Sequence, residues 1–414
     1  MSGAYPPDLA RVVVEQWPVL FEAACPFEAE ELATVLDECF LASLLTEEGR
    51  PTRVRVLLAS PESLAEDGVP NHSAWRVAFE EPRPLTAHEL RRLGPASPFE
   101  RTLIGARFGS EGAEVWGLAQ SGADWLAPSW GGRRDRREPW TSAPIVHVTG
   151  PGRIAVRGSG RLIAALERGR VVTQTIDVFS SAWLPALFAS ARSDVRRNHL
   201  QTDESLIATV SQHMVRRAIS LIRSRGHGGM ILFADPEVAE RYRRGDGALR
   251  TKYRFALGEP RERYQTLMAR LLETATRISD NDGAGFGWRE FEQARDRALD
   301  ALERQVFEVS NLVASLAAID GAVLLDKWFR LIGFGVEVSA ELTPPTRVLR
   351  AGDLEGRAHF CEPVHSVGTR HRAAYRYIQT HPTGLAIVVS QDGSVRFVAM
   401  GDAGVTYWEQ YLSP

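Results

Sequence analysis

Gly368-Thr369-Arg370-His371-Arg372 is the segment of this chain whose residue types are best suited to holding phosphate. It runs into Ala373-Ala374-Tyr375 and Tyr377-Ile378, a pattern that predicts a turn opening a helix. The first N–H groups of a helix have no internal acceptor and point outward, so together with the helix dipole they favour an anion. Thr369 adds a hydroxyl. Arg370 and Arg372 add charge-assisted, bidentate contacts that lysine does not match in geometry, and His371 is a further donor. Taken alone, two arginines at a helix start more often form a solvated surface than a ligand site.

Asp320-Gly321-Ala322 is the second such segment. Its acidic residue falls at the junction of a long helix and a buried strand, a sheet-edge position of the kind where α/β proteins place ligands. The Asp320 carboxylate could hold a divalent metal, Gly321 lets backbone approach a nucleotide closely, and Ala322 leaves space beside it. An ordinary Asp-Gly turn also accounts for these three residues.

The elements that must position the two segments are legible from periodicity. Thr202 or Asp203 caps a helix whose apolar stripe is Leu206, Val210, Met214, Ala218 and Ile222, and which breaks at Gly226-His-Gly-Gly229. A buried strand, Met230 to Asp235, follows. After a helical piece from Tyr264 to Thr276 and a glycine loop at Gly283, Gly285 and Gly287, one amphipathic helix is expected from Trp288 to about Ala318. Two hairpins are expected beyond it. One joins Gly321–Asp326 to Phe329–Val338, and the other joins Leu385–Gln391 to Ser394–Met400 around Asp392-Gly393. A mixed β-sheet flanked by helices is the predicted architecture of this half.

The preceding half reads as α+β, with strands at Thr52–Leu58, Ile145–Val148 and Arg170–Gln174 and a helix from Gly160 to Arg168 that stops at Gly169. The polar stretch Ser193–Asp203 separates the halves, giving domains at 1–195 and 196–414. A length of 414 residues suits two such domains. No apolar run approaches the ~20 residues of a membrane span, and the first residues carry no secretory pattern, so the expectation is a cytoplasmic protein with no membrane partner. A net charge of −3 argues against a nucleic-acid partner, and Arg133-Arg-Asp-Arg-Arg137 reads as a solvated loop. Three cysteines without a CxxC pair, and His359 and His365 around Cys361 and Glu362, give no zinc spacing.

Order and spacing of the two segments resemble the diadenylate cyclase family over residues ~200–410. The likeness also includes Leu316-Ala-Ala-Ile-Asp-Gly-Ala-Val-Leu-Leu325, the Gly333-Phe-Gly335 strand and Ile387-Val-Val-Ser390. It implies an α/β fold and a nucleotidyltransferase that condenses two ATP into cyclic di-AMP with release of two pyrophosphates. It further implies a divalent metal (Mn²⁺, Mg²⁺ or Co²⁺) and a face-to-face pair of domains, hence a homo-oligomer. By the same resemblance, Asp320, with Gly321 and Ala322, lies near the metal and the attacking 3′-hydroxyl. Gly368, Thr369, Arg370, His371 and Arg372 engage the triphosphate, and Ser390 touches the nucleotide. Where many relatives carry two acidic residues after that serine, this chain has Gln391-Asp392, so a catalytically degenerate nucleotide or cyclic-dinucleotide sensor is the alternative. Residues 1–195, through Gly150-Pro-Gly-Arg-Ile-Ala-Val156, resemble the sensor domains that precede some cyclase domains. Their expected role is regulatory, with an unknown ligand or protein as partner.

Overall fold

The computed structural model describes residues 3–64, 75–99, 101–110, 112–120, 143–158, 161–167, 169–173, 177–197, 203–244, 248–258, 261–279, 286–294, 296–364 and 367–410. Arg133–Arg137, Trp125, Trp130, Trp140, Gly283, Gly285 and His365 fall outside them. The chain forms two compact units that divide at residues 175/176. Residues 177–195, placed with the first domain on sequence, pack into the core of the second. Val178 and Leu184 are buried there, Phe179 meets Phe397 edge-on at 5.3 Å, and Trp183 stacks on Trp408 at 4.3 Å. Polar composition at 193–203 marked a change of element and not the change of core.

The first unit is α+β. Helices Pro6–Phe21 and Ala29–Ser43 pack Leu9, Val13, Leu32 and Leu36 against Val54, Val56, Val146 and Val156 of an eight-stranded sheet. The segment expected to be a helix at 160–168 is instead the strand Arg161–Glu167, paired antiparallel with Arg153–Gly158. Ile163, Ala164, Ala165 and Leu166 are all buried, and a short wholly apolar run carries no period that separates strand from helix. Pairing with neighbouring strands decides it.

The second unit is a nine-stranded mixed sheet flanked by helices. Its strands run in the order Leu249–Arg254, Leu331–Val338, Ala322–Asp326, Gly229–Ala234, Leu385–Val389, Val395–Gly401, Gly404–Gln410, Arg347–Ala351 and His359–Pro363. Gly229–Ala234 lies parallel to Ala322–Asp326, and both expected hairpins form as antiparallel pairs. Alternation along the central strands serves two cores. Ile231, Phe233, Val323 and Leu325 face the helices Glu204–Ser224, Arg263–Ser279 and Arg297–Leu316, while Met230, Leu232, Ala322 and Leu324 face Pro236–Arg244 and Thr369–Thr380.

Asp203 caps the Glu204 helix through Ser205 N at 3.0 Å, as its side-chain chemistry predicts. The single helix expected over 288–318 is two, Trp288–Gln293 and Arg297–Leu316. Ala294 is extended, and Asp296 starts the second helix by accepting from Ala298 N and Leu299 N, so a capping side chain interrupts an unbroken apolar stripe. Among the described residues, no helix is long and apolar enough to cross a membrane.

Candidate functional site

At one end of the second sheet lies a cleft of about 660 Å³. The register Gly229↔Val389 and Ala322↔Val336 brings the turn before Gly229, the turn before Ala322 and the end of the Leu385–Val389 strand to the same edge. Asp320, Gly321, Gly368, Thr369, Arg370, His371 and Ser390 therefore line one space, together with Gln391. It opens at the starts of the two parallel strands Gly229–Ala234 and Ala322–Asp326, the opposite end from the usual α/β ligand crevice.

Gly321 adopts φ +107°, and a Cβ there would come within 2.7–2.9 Å of the Gly335 and Val336 backbone. Only glycine satisfies both demands, and this fixes how Asp320 leaves the strand. The Asp320 side chain is wholly exposed, with its Oδ1 4.0 Å from an Arg370 nitrogen. So exposed a pair is weak, which leaves the carboxylate accessible to a ligand. Ala322 is buried as the first residue of its strand and gives the cleft no side chain.

Gly368 is the N-cap of the helix Thr369–Thr380 and brings no side-chain acceptor to its first turn. Arg372 N is the first to bond back, to Gly368 O at 3.2 Å, so the first-turn amides ahead of it sit beside the cleft with no acceptor inside the helix. A Cβ on Gly368 would meet nothing within 4 Å, so the approach to those amides is open.

Arg370 is held by its Nη1, which donates to His227 O at 3.3 Å. The Gly226-His-Gly-Gly229 segment is a turn, and its Gly228, at φ +68°, passes so close that a Cβ would lie 2.8 Å from that same Arg370 nitrogen. Arg372 stands outside the cleft wall and turns back, donating to Val367 O at 3.2 Å and Thr369 Oγ1 at 3.5 Å. It braces the turn that presents Thr369.

His371 Nε2 lies 3.4 Å from Ser390 Oγ. Burial, then the nearby Arg396 guanidinium, pushes the imidazole down to about 4. It is neutral at pH 7 and offers one N–H and one lone pair, not a charge. Asp392 builds the hairpin, its Oδ1 accepting from Ser394 N at 3.0 Å and Ser394 Oγ at 2.8 Å, while Gln391 reaches the cleft wall.

Two wall residues escaped the sequence reading. Arg376 sits seven residues after Thr369, on the same helix face, and its Nε is buried without a hydrogen-bond partner. That seven-residue spacing was the available signal. Glu337 also lines the cleft, with its carboxylate lowered chiefly by the hydrogen bond and charge of Lys252 at 2.7 Å. Elsewhere Glu362 accepts from the Tyr407 hydroxyl at 2.6 Å. Among the described residues, no three His, Cys, Asp or Glu side chains group as a metal site. Asp320 supplies hard oxygen donors suited to Mg²⁺ or Mn²⁺, ions that usually keep several waters and take substrate phosphates as ligands.

The cleft thus joins an exposed carboxylate to a helix N-terminus and two arginines. Comparison with known families adds one match: the family described as Probable sensor domain DACNV, over residues 20–120. This is the N-terminal sensor domain of diadenylate-cyclase-family proteins, and here the match spans four of the eight strands of the first sheet. No curated protein matches the chain.

Proposed function

We propose that the second unit is a diadenylate cyclase, converting two ATP into cyclic di-AMP and two pyrophosphates, and that the first unit regulates it. The observation that carries this reading is the convergence of Asp320 with Thr369, Arg370, His371 and Ser390 in one cleft. The sensor-domain match in the same chain supports it from independent residues. In this reading Arg370, Arg376 and the helix amides receive the triphosphate, with Thr369 Oγ1 donating and Arg372 holding Thr369 in place. Neutral His371 and Ser390 contact the nucleotide by hydrogen bonds.

Phosphoryl-type transfer asks a protein mainly for in-line positioning and neutralisation of charge on the leaving group. Each 3′-hydroxyl attacks the other nucleotide's α-phosphorus, the bond to the β-phosphate oxygen breaks, and pyrophosphate leaves. Asp320, exposed at the cleft, accepts a hydrogen bond from the incoming 3′-hydroxyl, and a facing copy of the domain brings the second ATP. When bound beside Asp320, a divalent metal would neutralise phosphate charge.

Incubating the protein with ATP and Mn²⁺, Mg²⁺ or Co²⁺ and separating the products tests this. Cyclic di-AMP is expected, and Asp320→Asn should abolish it while ATP still binds. Gln391, at the wall where the family resemblance leads one to expect an acid, favours a second reading, a nucleotide sensor without turnover. ATP binding with no product under any of the three metals would establish that reading instead.

A further inference from the structure

A second cavity, of about 240 Å³, lies within the second unit between residues 179–195, the helices Glu204–Ser224 and Arg263–Ser279, and the sheet. It reaches Phe233 and Leu385, which pair with each other at the far end of the same two strands whose other ends, Gly229 and Val389, adjoin the nucleotide cleft. Four residues of strand, about 13 Å, separate the two places.

Its walls are aromatic. Phe188 meets Phe233 at 5.4 Å, Phe233 meets Phe329 at 5.4 Å, Tyr264 meets Phe329 at 4.8 Å, and Phe179 meets Phe397 at 5.3 Å. These rings hold one another around a space they do not fill. The space is partly open to solvent and has about eight times a water's share of liquid volume. An apolar cavity of about 150 Å³ already accommodates benzene.

Several polar groups at the wall already have partners. Ser211 Oγ and the Tyr264 hydroxyl are paired at 2.7 Å, and Lys327 Nζ is held by Asp235 at 2.7 Å. Arg192 is different: one terminal nitrogen donates to Pro185 O, but its buried Nε has no partner. Among the described residues no acidic side chain lines the cavity, so its only charges are the cations Arg192 and Lys327.

We propose that this cavity binds a compact apolar carboxylate, of ~10–15 non-hydrogen atoms, between benzene and drug-sized ligands in bulk. The ring or short acyl chain lies among the phenylalanines, and the carboxylate pairs with the Arg192 guanidinium at the wall. A neutral ligand of the same shape forgoes that charge-assisted bond, and a cationic one meets the guanidinium charge of Arg192, the Lys327 ammonium being already paired with Asp235.

The full-length protein, titrated calorimetrically with 1-naphthoate and with neutral 1-naphthalenemethanol, tests this. Saturable binding of naphthoate at one site per chain is expected, with the alcohol at least tenfold weaker. Arg192→Gln should weaken naphthoate tenfold or more and leave the alcohol unchanged. Ala208→Trp and Ala269→Phe, at part-exposed wall positions, should each abolish binding while circular dichroism shows the fold intact. The proposal is overturned by the absence of saturable naphthoate binding, by binding that survives both filling variants, or by an alcohol that binds as tightly as the carboxylate.

Discussion

Two glycines of the cleft, Gly321 and Gly368, should respond oppositely to the same added methyl group. At Gly321 an alanine must adopt φ +107° and place its Cβ 2.7–2.9 Å from the Gly335 and Val336 backbone, atoms fixed by the pairing of two strands. A sparsely populated backbone conformation costs about 1–3 kcal/mol, and overpacking against immobile atoms about 1–3 more, so Gly321→Ala should destabilise by about 2–6 kcal/mol. A typical domain has about 5–15 kcal/mol in total. At Gly368 the backbone is ordinary (φ −65°) and the added Cβ meets nothing. There the weaker N-cap preference of alanine and the lower entropy of its unfolded chain nearly cancel, to within about 1 kcal/mol. Gly368→Ala should therefore fold normally yet weaken ATP binding, because the methyl occupies the open approach to the helix amides. Urea denaturation followed by circular dichroism reads the first effect, and nucleotide titration reads the second. Equal stability of the two variants, or undiminished ATP affinity in Gly368→Ala, would refute the reasoning.

Three further outcomes follow from particular contacts. Arg376→Ala should weaken ATP binding about tenfold to a hundredfold, equivalent to about 1.5–3 kcal/mol for a charged hydrogen bond, with little change in the melting temperature. Asp326 is fully buried, burial raises its carboxyl, and it accepts from Trp328 N at 2.9 Å, Arg330 N at 2.9 Å and Arg330 Nε at 2.5 Å. Asp326→Ala orphans these donors and should cost about 3 kcal/mol of stability in denaturant titration. Burial pushes His213, edge-on to Trp288, down to about 3, and His371 down to about 4. The unfolded chain, with histidines near 6.5, takes up these protons first, so their contribution to stability is complete above pH 6.5 and is lost as pH falls toward 4. Each histidine contributes a slope of at most about 1.4 kcal/mol per pH unit. Denaturation midpoints at pH 7.5 and 5 should differ, and His213→Gln should reduce the difference.

Local signals were sufficient wherever a side chain acts on its own backbone or an alternation faces two cores. Asp203 caps a helix, and Asp392-Gly393 turns a hairpin. The apolar run at 230–234 is a strand covered on both faces. The same logic marked Gly368–His371 as a helix start and Asp320 as a strand entry, which is most of the candidate site.

What needed the tertiary structure was everything decided by neighbours distant in sequence. The run Leu162–Leu166 has no period of its own, and the strand Arg153–Gly158 makes it a strand. Residues 177–195 follow the core that buries Val178 and Leu184, whatever the polarity of the stretch after them. Arg372 and Arg376 are the same residue type four apart, yet one turns back onto Val367 and the other lines the cleft. The burial that keeps His371 neutral, and the aromatic cavity beside Arg192, arise only when separate elements meet. Sequence determines which groups are present and how each element is patterned. Burial and long-range contact determine which of those groups keep a free valence to offer a ligand.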